Sequence, residues 1–313
     1  TNFIPLSKKE NLSSISLAID AKHGTVSQTW IAILKILNIE NNCILNAEPR
    51  SDFGNINPNP TKLETLIPLK KAQQKIKSPI AISNDPDGDR HVILNENGDF
   101  VSPEIISAII LEYFIKTKKP ILGIATTIAS SRIIKQVATK NKIKFLETPV
   151  GFKYFAPFFQ EALDKNKISF GVESSGGFSA SFHTFEKCGF LPCLLILLII
   201  FKTSKSLSQL KQDLFKKYGE TTFLETEHQF LDKDKPKIIE LLKNPNLAKI
   251  RTCFQDEPTE IVTIDGLKIV FKNQNWVLMR LSGTEPLARI YAEANSLENA
   301  NNILETAKEF LKI

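Results

Sequence analysis

Three carboxylates set two residues apart are the densest chemistry in this chain. In N-D-P-D-G-D-R-H-V-I-L, Asn84 to Leu94, the residues Asp85, Asp87 and Asp89 are followed at once by Arg90. Like charges this close repel by roughly 1 kcal/mol per pair even in water. A protein tolerates such a cluster in one of two ways: the loop is fully solvated, or a divalent cation sits among the carboxylates. Hard oxygen ligands suit Mg2+ or Ca2+, and Mg2+ keeps open positions for water or a phosphate oxygen. Arg90 adds the planar fork that phosphate recognition favours. Pro86 and Gly88 inside the triplet predict a fixed turn. The spaced ligands and closing Glu of an EF-hand are missing.

Two further stretches combine polar and small residues. In R-L-S-G-T-E-P-L-A-R, Arg280, Ser282, Gly283, Thr284 and Arg289 supply two guanidinium forks, two hydroxyls and a glycine that frees backbone N–H groups. Those are the parts of a dianionic phosphate site, and the plain alternative is a solvated hairpin turn. In G-V-E-S-S-G-G, Gly171 to Gly177, Glu173 and Ser175 offer an acceptor and a donor flanked by glycine. That pair suits sugar hydroxyls, although a Gly-rich turn with one Glu is common without a ligand.

The elements that must position these loops follow from periodicity. Residues 1–14 read as a polar linker. A strand at Ile15–Asp20, a helix to about Leu37, a strand at Cys43–Asn46, a Pro/Asn-rich loop from Ser51 to Pro60 and a helix from about Thr61 to Lys77 come next. A strand at Ile80–Ser83 enters the acidic loop, Val92–Leu94 leaves it, and Ser102-Pro103 opens a helix. Alternating strands and helices imply a mainly parallel sheet covered on both faces. The acidic loop then lies at the carboxyl end of a strand, where open α/β sheets bind ligands. The pattern restarts at Pro120 and closes with helices around Leu194–Phe201 and Ser206–Tyr218. From Thr221 strands predominate, with the hairpin pair Asp265-Gly266 and a last helix at Leu297–Leu311. The expected architecture is α/β: two consecutive α/β/α domains with mainly parallel mixed sheets, 1–117 and 118–218, then an α+β domain with an antiparallel sheet, 219–313.

At 313 residues the chain has room for two or three domains. Its net charge of +6 is spread over scattered lysines, which favours small anionic ligands and gives no sign of nucleic-acid binding. Cys43, Cys188, Cys193 and Cys253 lack C-x-x-C spacing, as expected of reduced cysteines in a cytoplasmic protein. The apolar run from Cys188 to Phe201 contains Gly189 and Pro192. It falls short of the roughly 20 residues that span a bilayer, so it predicts a buried helix and no membrane association. The mixed polar opening residues predict no signal peptide, and the first residue, Thr, is the start expected of a fragment or a processed form.

Taken together, D-P-D-G-D-R, E-S-S-G-G and R-L-S-G-T-E-P, in this order, resemble the α-D-phosphohexomutase family of phosphoglucomutases, phosphomannomutases and phosphoglucosamine mutases. A-I-D-A-K-H-G near the start, F-G-N-I-N-P-N-P before the acidic loop, T-P-V-G-F-K at Thr148–Lys153 and A-R-I-Y-A-E-A near the end extend the resemblance over essentially the whole chain. It implies a four-domain enzyme with a central cleft. A phosphoserine of the first domain donates its phosphoryl group to a hexose phosphate, and a hexose 1,6-bisphosphate intermediate returns the other phosphate. The same resemblance implies that Asp85, Asp87 and Asp89 hold Mg2+ and that Arg90 and Lys153 line the reaction centre. Glu173 and Ser175 would hold sugar hydroxyls; Arg280, Ser282, Gly283, Thr284 and Arg289 would hold the non-reacting phosphate.

The resemblance begins at the family's second domain. The T-A-S-H-N-P-type serine loop has only a faint echo in S-A-S-F-H, Ser179–His183, which aligns better with the family's H-x-P-E-[RK]-D-G. Cys188 then stands where that segment has Asp, and Ser174 where many phosphoglucomutases carry a second Glu. Two expectations follow. Either this is the domain 2–4 portion of a phosphohexomutase, inactive alone and active with a separate first domain carrying the phosphoserine, or it is a truncated homologue that binds hexose phosphates or a partner without catalysis.

Overall fold

A computed structural model describes residues 12–282 and 286–312. Strand β1 (Leu17–Asp20), buried at every residue, lies between β2 (Asn42–Leu45) and β3 (Ala81–Asn84) and parallel to both. Then β4 (His91–Leu94) returns antiparallel to β3 and pairs with the short β5 (Phe100–Val101), giving the order β2-β1-β3-β4-β5. Helices α1 (Ser27–Leu37) and α2 (Ile67–Ile76) follow β1 and β2. The second starts later than Thr61: Leu63–Leu66 forms a 3-10 turn first, and Pro68 sits in the first turn of α2, where its missing N–H costs nothing.

Helix α3 (Pro103–Lys116) opens as the sequence predicts, with Ser102 Oγ accepting from the Ile105 N–H at 3.4 Å. There follow β6 (Ile121–Thr127), α4 (Arg132–Lys140), β7 (Lys144–Thr148), α5 (Ala156–Asp164), β8 (Ile168–Val172) and β9 (Phe178–Ala180). Their sheet has the order β7-β6-β8-β9, with β8 parallel to β6 and antiparallel to β9. Next come α6 (Phe190–Thr203) and α7 (Leu207–Tyr218). The apolar face of α6 is buried inside the protein, and among the described residues no single helix is long and apolar enough to cross a membrane. One apolar core runs from Trp30 and Ile82 through α3 and α6 to Phe170 and Phe178. Leu12 is buried in that core, which corrects the reading of its neighbourhood as pure linker.

The remaining elements are β10 (Thr222–Gln229), α8 (Lys235–Lys243), α9 (Leu247–Phe254), β11 (Pro258–Val262), β12 (Leu267–Phe271), β13 (Trp276–Leu281), β14 (Leu287–Ala294) and α10 (Leu297–Leu311). Their sheet is antiparallel throughout, in the order β10-β14-β13-β12-β11. The fold is therefore two α/β layers with parallel-mixed sheets, followed by an α+β layer. Helix α9 goes unannounced in the sequence; Asn246 starts it by accepting from the Lys249 N–H at 3.1 Å.

By compactness the chain divides into two units. The first runs to Thr126 and includes Ile133–Leu146 and Gly151–Tyr218; the second holds Thr127–Arg132, Glu147–Val150 and the chain from Gly219. Within the second, the fully buried Glu293 gathers four donors: Ser131 Oγ (2.5 Å), Thr221 Oγ1 (2.6 Å), the Arg132 N–H (2.8 Å) and Trp276 Nε1 (2.5 Å). This carboxylate fastens the Thr127–Arg132 segment to the antiparallel sheet.

Candidate functional site

The acidic loop is the β3–β4 connection, and local bonds fix its shape. Gly88, at φ 76°, closes the turn by donating to the Asp85 carbonyl at 3.0 Å. Asp85 Oδ1 accepts from the Arg90 N–H at 2.9 Å. Asn84 braces the loop's exit: its Nδ2 donates to the Arg90 carbonyl at 2.8 Å, while its Oδ1 accepts from Trp30 Nε1 at 2.8 Å. Gly189, just before α6, donates to the Gly88 carbonyl at 2.9 Å. A Cβ on Gly189 would stand 2.2 Å from the Arg90 carbonyl oxygen, so this close approach requires glycine.

One oxygen from each of Asp85, Asp87 and Asp89 falls within 4.8 Å of the others. Asp85 is buried, Asp89 half-buried and Asp87 exposed. Two cations stand by: Arg90 Nε lies 3.4 Å from Asp85 and 3.5 Å from Asp89, and Lys187 Nζ lies 2.5 Å from Asp89 Oδ2. With all three ionised, the carboxylates outnumber the two cations. Burial pushes the Asp85 carboxyl up to about 7; the charges of Asp89 and Asp87 reinforce the shift, and the Arg90 N–H opposes it. Asp89 Oδ1 is buried and accepts no hydrogen bond among the described residues. An all-oxygen donor set whose ionised carboxylates outnumber the cations beside them fits a hard divalent cation.

The Glu173 loop, between β8 and β9, is tied to the acidic loop within the first unit. The Gly176 carbonyl accepts from the His91 backbone N–H at 3.0 Å and from His91 Nδ1 at 2.6 Å. Arg90 and Gly177 form an antiparallel bridge. The turn itself closes through Glu173 N–H to the Gly177 carbonyl at 2.9 Å and Gly176 N–H to the Glu173 carbonyl at 3.1 Å. Burial raises the Glu173 carboxyl above its ordinary range; Lys187, the Ser175 hydroxyl, the Gly151 N–H and Arg90 pull the other way. Ser175 Oγ is 3.4 Å from Glu173 Oε2. The Gly151 contact joins the T-P-V-G-F-K turn to the same group of loops. Lys153 on that turn is exposed, with Nζ 5.2 Å from the centre of the Tyr154 ring.

In the second unit, Arg280 on β13 and Arg289 on β14 are direct cross-strand partners. Like charges so placed repel, and each is offset: Arg280 NH2 lies 3.2 Å from Asp265 Oδ2, and Arg289 Nε lies 3.1 Å from Glu227 Oε1. Ser282 N–H donates to the Leu287 carbonyl at 2.9 Å, closing the hairpin. Gly283 and Thr284 lie outside the described residues. Two guanidiniums on one face of a hairpin are a ready anion site.

The structure thus joins Asp85, Asp87, Asp89, Arg90, Glu173 and Ser175 in one body and adds residues with no role in the sequence patterns. Lys187 stands at the Lys/Arg position of the family segment that H-T-F-E-K-C-G resembles, but only the fold brings its ammonium to Asp89. Cys188 is half-buried and donates its N–H to the Phe178 carbonyl at 2.8 Å. Ser179 and Ser181, the echo of a serine loop, are buried; the Ser179 hydroxyl donates to the Thr184 carbonyl at 2.5 Å.

Comparison with known proteins gives consistent results. Family models of the phosphoglucomutase/phosphomannomutase α/β/α domain II, α/β/α domain III and C-terminal domain match residues 1–98, 102–218 and 232–309. A phosphoglucomutase/phosphomannomutase of Thermococcus kodakarensis is 29% identical over 95% of this chain and 60% of its own length. Human phosphoglucomutase-1 is 29% identical over 88% of this chain and 53% of its own length. The crystal structure of parafusin, a phosphoglucomutase of Paramecium, superposes with a TM-score of 0.76 at 25% identity, over 96% of this chain and 58% of that one. The chain spans little more than half the length of these relatives.

Proposed function

Because the chain belongs to the phosphoglucomutase/phosphomannomutase family, carrying its domains II, III and C-terminal, we propose that it is the metal- and substrate-holding portion of a phosphohexomutase. The reaction is the interconversion of hexose 1-phosphate and hexose 6-phosphate through a hexose 1,6-bisphosphate. The observation that carries this reading is the clustering of Asp85, Asp87 and Asp89 within 4.8 Å beside Arg90 and the Glu173 loop.

Asp85, Asp87 and Asp89 would hold Mg2+, which when bound offsets the negative charge of a transferring phosphoryl group. Arg90, beside Asp85 and Asp89, would bind phosphoryl oxygens brought to the cation, and the exposed Lys153 would supply an ammonium for the reacting hydroxyl or its phosphate. Lys187 balances Asp89 and keeps the acidic cluster assembled. Glu173, paired with Ser175, accepts from sugar hydroxyls and so orients the ring. Arg280, Ser282, Gly283, Thr284 and Arg289 bind the phosphate that does not react. The phosphoryl donor is a phosphoserine on the family's domain I, a domain outside the three matched models.

The test is a coupled mutase assay with glucose 1-phosphate, Mg2+ and glucose 1,6-bisphosphate. The 313-residue chain alone should produce no glucose 6-phosphate, and adding a phosphoserine-bearing domain I from a relative should produce it. Turnover by the chain alone would overturn the assignment of the donor to domain I.

A further inference from the structure

We propose that His91 is a positioning residue that fixes the Glu173 loop against the acidic loop through a single acceptor, the Gly176 carbonyl. That oxygen receives two bonds from one residue: the His91 backbone N–H at 3.0 Å and the ring Nδ1 at 2.6 Å. A carbonyl oxygen only accepts, so Nδ1 carries the hydrogen. In the neutral ring Nε2 is then a bare acceptor. His91 is completely buried, and Nε2 has no hydrogen-bond partner among the described residues.

An unpaired buried acceptor is a standing cost, and an apolar side chain on this core-facing strand position would avoid it. What the imidazole adds is the second bond to Gly176, which strand pairing alone does not provide. Gly176 is held hard against His91: its φ is 99°, and a Cβ there would lie 2.5 Å from the His91 carbonyl oxygen. Gly176 also closes the turn through its bond to the Glu173 carbonyl, and Gly177 closes it from the other side. His91 follows Arg90 directly and stands two residues after Asp89. One buried ring therefore locks the register, paired by the backbone bond and the Arg90–Gly177 bridge, between the residues that gather the cation and the residue that faces the sugar. The inference rests on the proposed function only for what Glu173 finally touches.

The test compares His91→Phe, which removes the Nδ1–H, with His91→Asn, whose amide nitrogen can occupy the same place. Amide hydrogen exchange at Glu173 and Gly176 should accelerate by about tenfold or more in His91→Phe, with β3, the Val92–Leu94 part of β4 and β8 unchanged, and return close to wild type in His91→Asn. Glucose 6-phosphate affinity in Mg2+ should fall about tenfold in the Phe variant and recover in the Asn variant. Unchanged exchange in His91→Phe would overturn the proposal. So would uniform acceleration through the strands, or an Asn variant no better than Phe. If the wild-type chain binds no phosphosugar, the proposed function fails while the exchange pattern still decides the role of His91.

Discussion

Replacing Asp85 by Asn should stabilise the metal-free protein and abolish its response to Mg2+. The Asp85 carboxyl is pushed from 3.8 to about 7, first by burial and then by Asp89 and Asp87. At about 1.36 kcal/mol per pKa unit, ionising it in the folded loop costs about 4 kcal/mol. The sign follows from proton counting. Between 3.8 and about 7 the folded protein holds a proton that the unfolded chain has lost, so metal-free stability falls as pH rises through that window. An Asn keeps the bond from the Arg90 N–H to Oδ1, now 2.9 Å, and never ionises, but it loses the attraction to Arg90 Nε at 3.4 Å. A net gain of about 2 kcal/mol at about pH 8, vanishing near pH 4, is the expected balance. Urea unfolding of fluorotryptophan-labelled protein measures it, because the fluorine signals separate Trp30, bonded to Asn84 beside the loop, from Trp276. Wild type should gain stability with Mg2+ and the variant should not. A metal-free wild type whose stability is flat from about pH 5 to 8, or an Asn variant less stable at the upper end, would refute this account of the loop's electrostatics.

Three further outcomes follow from geometry. Ala at Gly189 would place a Cβ 2.2 Å from the Arg90 carbonyl oxygen and 2.5 Å from Asn84 Nδ2; the displaced loop should lose about 1–3 kcal/mol of stability and bind Mg2+ more weakly by calorimetry. Glu293→Ala strips the partner from Ser131, Thr221, Trp276 and the Arg132 N–H; the second unit should lose about 3 kcal/mol, read from the Trp276 signal with Trp30 unmoved. Glu173→Ala should weaken glucose 6-phosphate binding by about 1–3 kcal/mol and leave Mg2+ affinity within about twofold, since Glu173 is not one of the clustered carboxylates.

The main elements were legible because apolar runs or turn residues mark them. β1, β3 and β8 read as short strands, α10 as a last helix, and the Asp265-Gly266 pair announced its hairpin. The two-residue β5 and three-residue β9 carry no period, and α9, at eight residues, is too short to show one clearly. At the site, the acidic triplet was legible because chemistry is dense in sequence there. Lys187, His91 and Gly189 were not, because each acts on a residue brought near by folding: Asp89 lies 98 positions before Lys187, and Gly176 lies 85 after His91. Nothing in A-R-I-Y-A-E-A singles out Glu293, because its four donors come from three separate segments.

The central claim is that these loops hold a hexose phosphate, and calorimetric titration of glucose 6-phosphate in Mg2+ tests it most directly when wild type is compared with Arg289→Ala. The wild type should bind one-to-one and lose about 1.5–3 kcal/mol, roughly ten- to 150-fold, when that charge-assisted contact is removed. Equal affinity in the two proteins, or no binding by the wild type, would contradict the claim.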